Sequence, residues 1–370
     1  MKPGPKNSIT DVPGIKVGHA QDLNLMSGTT VVLPQNSAVA SVDSRGGGPG
    51  TRETDALNPS TVVEEVHAIV LSGGSAIGLD AAGGVASWLK MQGQGFPVAR
   101  DVSVPIVPAA ILFDLLNGGE KSLLNEHTYF DFGKIAAANA SYDCPQGNIG
   151  AGTGAKAGNL KGGIGTASIQ INSIDSTKQS YTVGALVAVN SFGSVTMPGL
   201  NDFWAWPMEQ NSEYGGRGIP KYLPVKNKKN NIRELSLDFD FENPFKDSFH
   251  SSKFEENYDT EIFNKNISTN TTLCVVATDA ALDKAQAQRI AIMAQDGIGR
   301  AIRPVHTPFD GDTVFVLSLG KVSLSKKPAI DIARLGMMAG DCVTRAIARG
   351  VFAAESLGRM TGYKDTLKND

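Results

Sequence analysis

Thr269-Asn270-Thr271-Thr272-Leu273-Cys274-Val275-Val276-Ala277-Thr278-Asp279-Ala280 is the stretch on which the reading of this chain turns. A polar segment ends in paired threonines, and an apolar run of Leu, Cys and Val follows at once, as a buried β-strand requires. If the chain is cut between Asn270 and Thr271, a threonine becomes the first residue of that strand. It then carries a hydroxyl nucleophile and a free α-amine on one residue, and the amine can act as base for the hydroxyl. An α-amine titrates at roughly 7.7–8.0, well below a lysine at about 10.4, so it is partly neutral near pH 7. Before the cut, the same hydroxyl could attack the Asn270 carbonyl by an N–O acyl shift, and water would then release two chains. The residues alone leave a plainer reading open, in which the two threonines simply begin a strand.

The surroundings suit a processing site. Residues Pro207 to Asn270 are rich in Asn, Lys, Asp, Glu and Ser, with Lys226-Asn227-Lys228-Lys229-Asn230-Asn231 the most polar part. This composition predicts an exposed linker, 207–270, in front of a strand that would stay pinned in its sheet. Downstream, a helix is expected around Asp283–Ile302, a strand over Thr313–Leu317 and a long helix over Asp331–Leu357. Upstream, Thr29–Pro34, Ala38–Val42, His67–Leu71 and Tyr181–Val189 read as strands, Val104–Pro108 as a strand or extended edge, and Ile77–Met91 as a helix.

The 370 residues can bury a large core as one big domain or two ordinary ones. A formal charge of −3, from 34 basic and 37 acidic residues, gives no polyanion-binding signature, so nucleic acid and membrane surfaces are not expected partners. No apolar run follows Met1–Lys6, so no signal peptide is expected, and no segment reaches the ~20 apolar residues of a membrane helix. Cys144, Cys274 and Cys342 are odd in number and far apart. They suggest neither a disulfide framework nor a metal site, and a cytoplasmic protein with reduced, buried thiols is the simplest reading.

Other segments carry polar groups that could join Thr271. In His306-Thr307-Pro308-Phe309-Asp310-Gly311-Asp312-Thr313, two carboxylates flank a glycine just before a strand. A turn there could aim both Asp310 and Asp312 into one site, to hold the ammonium and orient the hydroxyl; an Asx-turn or a weak cation loop is the alternative. Asn190 ends an apolar strand and could donate its amide to an oxyanion, or merely terminate the strand. Lys161-Gly162-Gly163-Ile164-Gly165-Thr166 has its lysine ahead of the glycines, the wrong order for a phosphate loop, so no nucleotide site is assigned. HExxH, CxxC and GxSxG are absent, and five scattered histidines give a His-based triad no local support.

Taken together, these stretches resemble the DmpA-type aminopeptidases, which include β-peptidyl aminopeptidases and nylon-oligomer (6-aminohexanoate oligomer) hydrolases. The likeness rests on residues 9–19, Arg45-Gly46-Gly47-Gly48-Pro49-Gly50-Thr51-Arg52-Glu53-Thr54, residues 71–79, Gly147-Asn148-Ile149-Gly150-Ala151-Gly152-Thr153-Gly154, the Asn190 segment and residues 270–280. It implies an N-terminal-nucleophile hydrolase with an α/β fold, a four-layer αββα sandwich shared in broad topology with ornithine acetyltransferase. One domain would be divided by autocleavage into an α chain, 1–270, and a β chain, 271–370. Nylon-oligomer hydrolases have threonine after asparagine, as at Asn270-Thr271, and paired aspartates, matched by Asp310 and Asp312. Asn190 matches the family's asparagine, and Lys161 or Asn159 its lysine, with Lys161 preferred. Phe113 stands where members often have a tyrosine, so the hydroxyl is missing or supplied elsewhere.

The implied activity is hydrolysis of small peptides, amino-acid amides or linear 6-aminohexanoate oligomers, without cofactor or metal, by an oligomer of αβ pairs. Acyl transfer of the ornithine acetyltransferase type and an uncleaved ligand-binding protein are the alternatives.

Overall fold

A computed structural model describes residues 1–172, 180–198, 200–220 and 270–369. Two sheets carry the fold. The six-stranded sheet has the order β12 (Gly163–Asn172), β13 (Ser180–Asn190), β14 (Thr271–Ala280), β15 (Thr313–Val322), β3 (Ala38–Ser44), β5 (Glu65–Val66). The five-stranded sheet has the order β1 (Ile15–Asp22), β2 (Ser27–Pro34), β6 (Ile69–Ser72), β9 (Ala109–Ile111), β4 (Thr51–Arg52). Two short ribbons, β7 (Phe96–Ala99) with β8 (Val102–Val104) and β10 (Lys156–Ala157) with β11 (Leu160–Lys161), lie outside them.

The strand that follows Asn270 explains the layering. Every residue of β14 is buried, and successive side chains point to opposite faces. Leu273, Val275 and Ala277 join the core between the two sheets, with Val32, Ile69, Leu71 and Leu112 from the smaller sheet and its margin. Cys274 and Val276 face the other way, into a core shared with helices α3 (Lys284–Ala301) and α4 (Pro328–Ala353). A third core packs Val31, Val70 and Ala109, from the far face of the smaller sheet, against α1 (Asp80–Met91) and α2 (Thr128–Ala138). Helices, sheet, sheet, helices: the four layers are those of an αββα sandwich. Burying a strand such as Leu273–Ala277 on both faces gains about 1.5–3 kcal/mol for each large aliphatic side chain, which is what pins its first residue.

Local signals account for most boundaries. Asp283 caps α3 and, with Gln286, closes a capping box. Pro328 opens α4, three residues before the expected start at Asp331. The expected helix from Ile77 begins as a 3-10 turn, Ser75–Leu79, and becomes α-helical at Asp80. Of the two readings of Val104–Pro108, a single strand is not what forms: β8 ends at Val104 and β9 starts at Ala109. Pro105 and Pro108 lack the N–H that a ladder needs. The predicted linker also begins too early. Residues 207–220 include Tyr214, 2% exposed, whose hydroxyl donates to the Ala205 carbonyl at 2.7 Å; 221–269 lie outside the described residues. Cys274 and Cys342 are buried, and none of the three cysteines is paired. Among the described residues no helix is long and apolar enough to cross a membrane.

Candidate active site

Strand alternation decides which threonine faces the site. Thr271 shares the inter-sheet side of β14 with Leu273, and Thr272 faces the helices, where its buried hydroxyl has no hydrogen-bond partner among the described residues. The Thr271 hydroxyl donates to the carbonyl of Asn270, the bond expected to break. Thr271 also lines a cavity of about 200 Å³ with Gly48, Gly50, Ser75, Ile111 and Phe113. The glycine-rich loop, which crosses from β3 of the same sheet to β4 of the smaller one, and the loop after β6 thus wall in the nucleophile's side chain.

Asp310 and Asp312 stand beside it on the loop that enters β15, and both are 1% exposed. Asp312 accepts from the Thr272 N–H at 2.7 Å, and from His306 through its N–H at 3.1 Å and Nδ1 at 2.8 Å. Asp310 accepts from Thr307 through its hydroxyl at 2.6 Å and its N–H at 2.9 Å, and from the Phe192 N–H at 3.3 Å. Burial, reinforced by the charge of Asp312, pushes the Asp310 pKa up to about 6, against the pull of the Thr307 and Phe192 hydrogen bonds. The glycine-rich loop backs this turn: Arg45 and Gly48 donate their N–H groups to the carbonyls of Asp312 and Asp310 at 2.9 and 2.8 Å. A Cβ at Gly46 would lie 2.2 Å from the Asp310 carbonyl oxygen, so this approach requires glycine.

Asn190 pairs directly with Thr271 across β13 and β14, and its side chain is fully buried. Its Oδ1 accepts from the Lys156 N–H at 2.9 Å and from Asn117 at 3.2 Å, which turns Nδ2 toward the Phe113 carbonyl, 3.2 Å away. The amide's donor end therefore faces a residue of the cavity wall. Phe113 is half-buried there.

Lys161 stands differently from the others. Its ammonium donates to the carbonyls of Gly152, Ala155 and Gly162 at 2.8, 2.9 and 2.7 Å, which uses all three protons. It is fully buried, and burial lowers its pKa to about 7. It holds the loop that presents Lys156 to Asn190 and is not among the residues lining the cavity. Asn159 lies on the turn between β10 and β11.

Three residues join the site that sequence reasoning did not single out. His306 and Thr307 each grip one aspartate, and only their place beside Asp310 and Asp312 could have flagged them. Asp114 is fully buried behind the cavity, accepting from the Gly74 N–H at 2.9 Å and from Ser27 at 2.7 Å. Ser27 is in turn 3.0 Å from the Tyr129 hydroxyl. That chain steadies Gly74, at φ +85°, and the turn that carries Ser75 into the cavity. No spacing rule joins residues so far apart in sequence.

The sequence profile described as Peptidase family S58 matches residues 7–365. An uncharacterised aminopeptidase of Mycobacterium tuberculosis is 40% identical over 377 residues, covering 97% of each chain. A 6-aminohexanoate-oligomer endohydrolase of Agromyces is 25% identical over 357 residues, covering 93% of this chain and 82% of its own. Among solved structures, the L-aminopeptidase D-Ala-esterase/amidase of Ochrobactrum anthropi, described as a variant of the Ntn hydrolase fold, superposes with a TM-score of 0.64 at 20% identity. That match covers 98% of this chain and 92% of the other. At that identity the likeness speaks for the fold.

Proposed function

This chain is a hydrolase of peptidase family S58, and from that premise we propose that it is a self-processing amidohydrolase whose nucleophile is Thr271. The observation that carries the reading is the position of the Thr271 hydroxyl: on the Asn270 carbonyl, at the head of a buried strand, facing a cavity beside two buried carboxylates.

In the proposed sequence, the hydroxyl attacks the Asn270 carbonyl, the peptide rearranges to an ester, and water splits it into chains 1–270 and 271–370. The freed α-amine of Thr271 then serves as base for its own hydroxyl on an incoming amide. Asp310 and Asp312 hold the ammonium form and orient the hydroxyl. Asn190 donates to the oxyanion of the tetrahedral intermediate. Water releases the acyl group. Lys161 supports Asn190 from behind, and Phe113 contacts the substrate without a hydroxyl to offer.

A cavity of about 200 Å³ suits a short acyl group. Small peptides, amino-acid amides and linear 6-aminohexanoate oligomers are the proposed substrates, in keeping with relatives named as an aminopeptidase and an oligomer endohydrolase. The relatives are hydrolases by description, so hydrolysis rather than acyl transfer is carried forward. A cytoplasmic oligomer of αβ pairs, acting without cofactor, metal, nucleic acid or membrane, completes the proposal.

Intact-mass spectrometry with N-terminal sequencing of the smaller fragment tests it. The expected result is two chains with Thr271 leading the shorter, and a Thr271→Ala protein that stays whole and hydrolyses no amide. An active, uncut chain of 38.9 kDa would overturn it.

A further inference from the structure

We propose that the backbone N–H of Gly311 is the oxyanion donor for scission of the Asn270–Thr271 bond, which is why a glycine separates the two aspartates. The inference rests on the self-processing reading above. The Gly311 N–H donates to the Asn270 carbonyl oxygen at 3.0 Å, and the Thr271 hydroxyl reaches the same oxygen. Nucleophile and donor therefore meet on the carbonyl that is to be attacked.

The donor is held rigidly. The Asp310–Gly311 peptide unit is bonded at both ends, its N–H to Asn270 and its carbonyl to the Gly48 N–H at 2.8 Å. Such a fixed dipole stabilises developing charge without having to reorganise. It also meets a difficulty peculiar to this loop. An oxyanion forming beside Asp310 and Asp312 would be repelled by both, and the N–H between them points a favourable dipole at it. A side chain at 311 would spoil the approach: a Cβ there would sit 2.7 Å from the Thr271 Oγ1 and 3.1 Å from the Gly48 carbonyl oxygen.

In the step itself, the Oγ1–C bond to Asn270 forms as the hydroxyl proton leaves to a neighbouring base. The carbonyl π pair moves onto the oxygen held by Gly311. Collapse breaks the C–N bond, and the Thr271 nitrogen takes up a proton in exchange for the one lost. Water then hydrolyses the ester, restoring the hydroxyl and leaving an Asn270 carboxylate.

The plain alternative is that this bond is only an outlying rung of the β14–β15 ladder, since Asn270 and Asp310 form an isolated parallel bridge just ahead of it. Cell-free translation with glycolic acid at position 311 replaces the N–H by oxygen and separates the two. Scission of the folded precursor, followed by gel or intact mass, is expected to slow by about 10²–10³-fold, the usual cost of losing one oxyanion donor. The same replacement at position 47 removes the Gly47 N–H bond to the Thr307 carbonyl, 3.1 Å long, from the same loop while leaving the Gly311 donor and its Gly48 brace in place, and is expected to slow scission by less than tenfold. Gly311→Ala, matched to wild type in melting temperature, is expected to cut at least tenfold more slowly because its methyl group displaces the loop. Wild-type scission rates in the position-311 ester or in Gly311→Ala would overturn the proposal. So would an equal slowing in the position-47 ester. A wild-type precursor that never cuts would instead remove the self-processing premise, and this inference with it.

Discussion

Glu213 and Arg345 meet in the interior as a matched pair, whereas Asp310 and Asp312 meet there as like charges. Arg345 gives Nε to one oxygen of Glu213 at 2.6 Å and Nη2 to the other at 2.8 Å. Its remaining donors go to the Ser168 carbonyl at 3.0 Å and to Asn7 Oδ1 at 2.7 Å, and Arg349 lies 3.6 Å from Glu213. The cluster ties residues 207–220 and the N-terminal segment to α4. Among the described residues the aspartate pair has no arginine or lysine partner: backbone N–H groups, Thr307 and His306 surround it. Burial costs both clusters solvation. In the first, opposite charge offsets the cost and the result is structure. In the second, the cost is left standing and appears as an Asp310 carboxyl that titrates near 6. A carboxylate so arranged is ready to receive a cation, and scission would supply one in the Thr271 ammonium.

The largest expected effect comes from neutralising the like-charged pair. Asp312→Asn puts an NH₂ group against either the Thr272 N–H or the two His306 donors. Scission and amide turnover are expected to fall on the order of 10²–10⁴-fold, while the mismatched hydrogen bond costs only about 1–3 kcal/mol of stability and leaves the chain folded. A variant that cuts and turns over at wild-type rates would remove Asp312 from the mechanism.

The converse holds for the matched pair. Glu213→Ala leaves the Arg345 guanidinium buried and unpaired, which costs about 3–5 kcal/mol. Denaturant unfolding should report that loss, and the folded fraction should still cut at Asn270. A large loss of turnover with little loss of stability would reverse the contrast drawn between the clusters.

How much of this was readable beforehand differs between the two regions. Thr271, Asp310, Asp312 and Asn190 could be named because they sit at the ends of strongly patterned strands, β14, β15 and β13, where an apolar run stops at a polar residue. The Glu213–Arg345 pair could not, since its partners lie 132 residues apart and Glu213 sits in a stretch whose composition reads as linker. The same limit hid Asp114, and β12, whose Gly163 and Gly165 dilute the strand pattern. Helix α2 was missed because Thr128–Ala138 has a weak apolar stripe with Gly133 inside it. Lys161 was legible as a position but not as a role: its three carbonyl partners come from a loop that only folding brings around it.

The Asp310 shift makes a pH test of the comparison. Its folded pKa, about 6, lies above the ordinary value of 3.8. The folded state therefore binds the proton more tightly between these values. Its contribution to stability is greatest below about pH 4, declines as pH rises to about 6, and is constant above that. Unfolding of the uncut Thr271→Ala chain should show this decline, and adding Asp310→Asn should remove it. In the cut enzyme the new ammonium lowers the Asp310 pKa and flattens the slope. An identical slope in the cut and uncut forms would mean that the amine does not sit beside Asp310.

The smallest expected effect falls on His306, which touches Asp312 but does not line the cavity. Its Nδ1 bond to a carboxylate is worth about 1.5–3 kcal/mol, so His306→Ala should slow turnover by roughly tenfold or somewhat more. Residue 306 also sits at φ +53°, a conformation that alanine adopts at some cost and asparagine tolerates better. His306→Asn can offer an amide N–H near the position of Nδ1 while carrying no charge. If His306 acts by donating to and orienting Asp312, asparagine restores most of the activity at every pH. If an imidazolium charge is what steadies the aspartates, asparagine fails as alanine does. The pair of variants therefore decides whether the like-charged cluster is held by geometry alone or also has a hidden counter-ion, as the Glu213 cluster does openly.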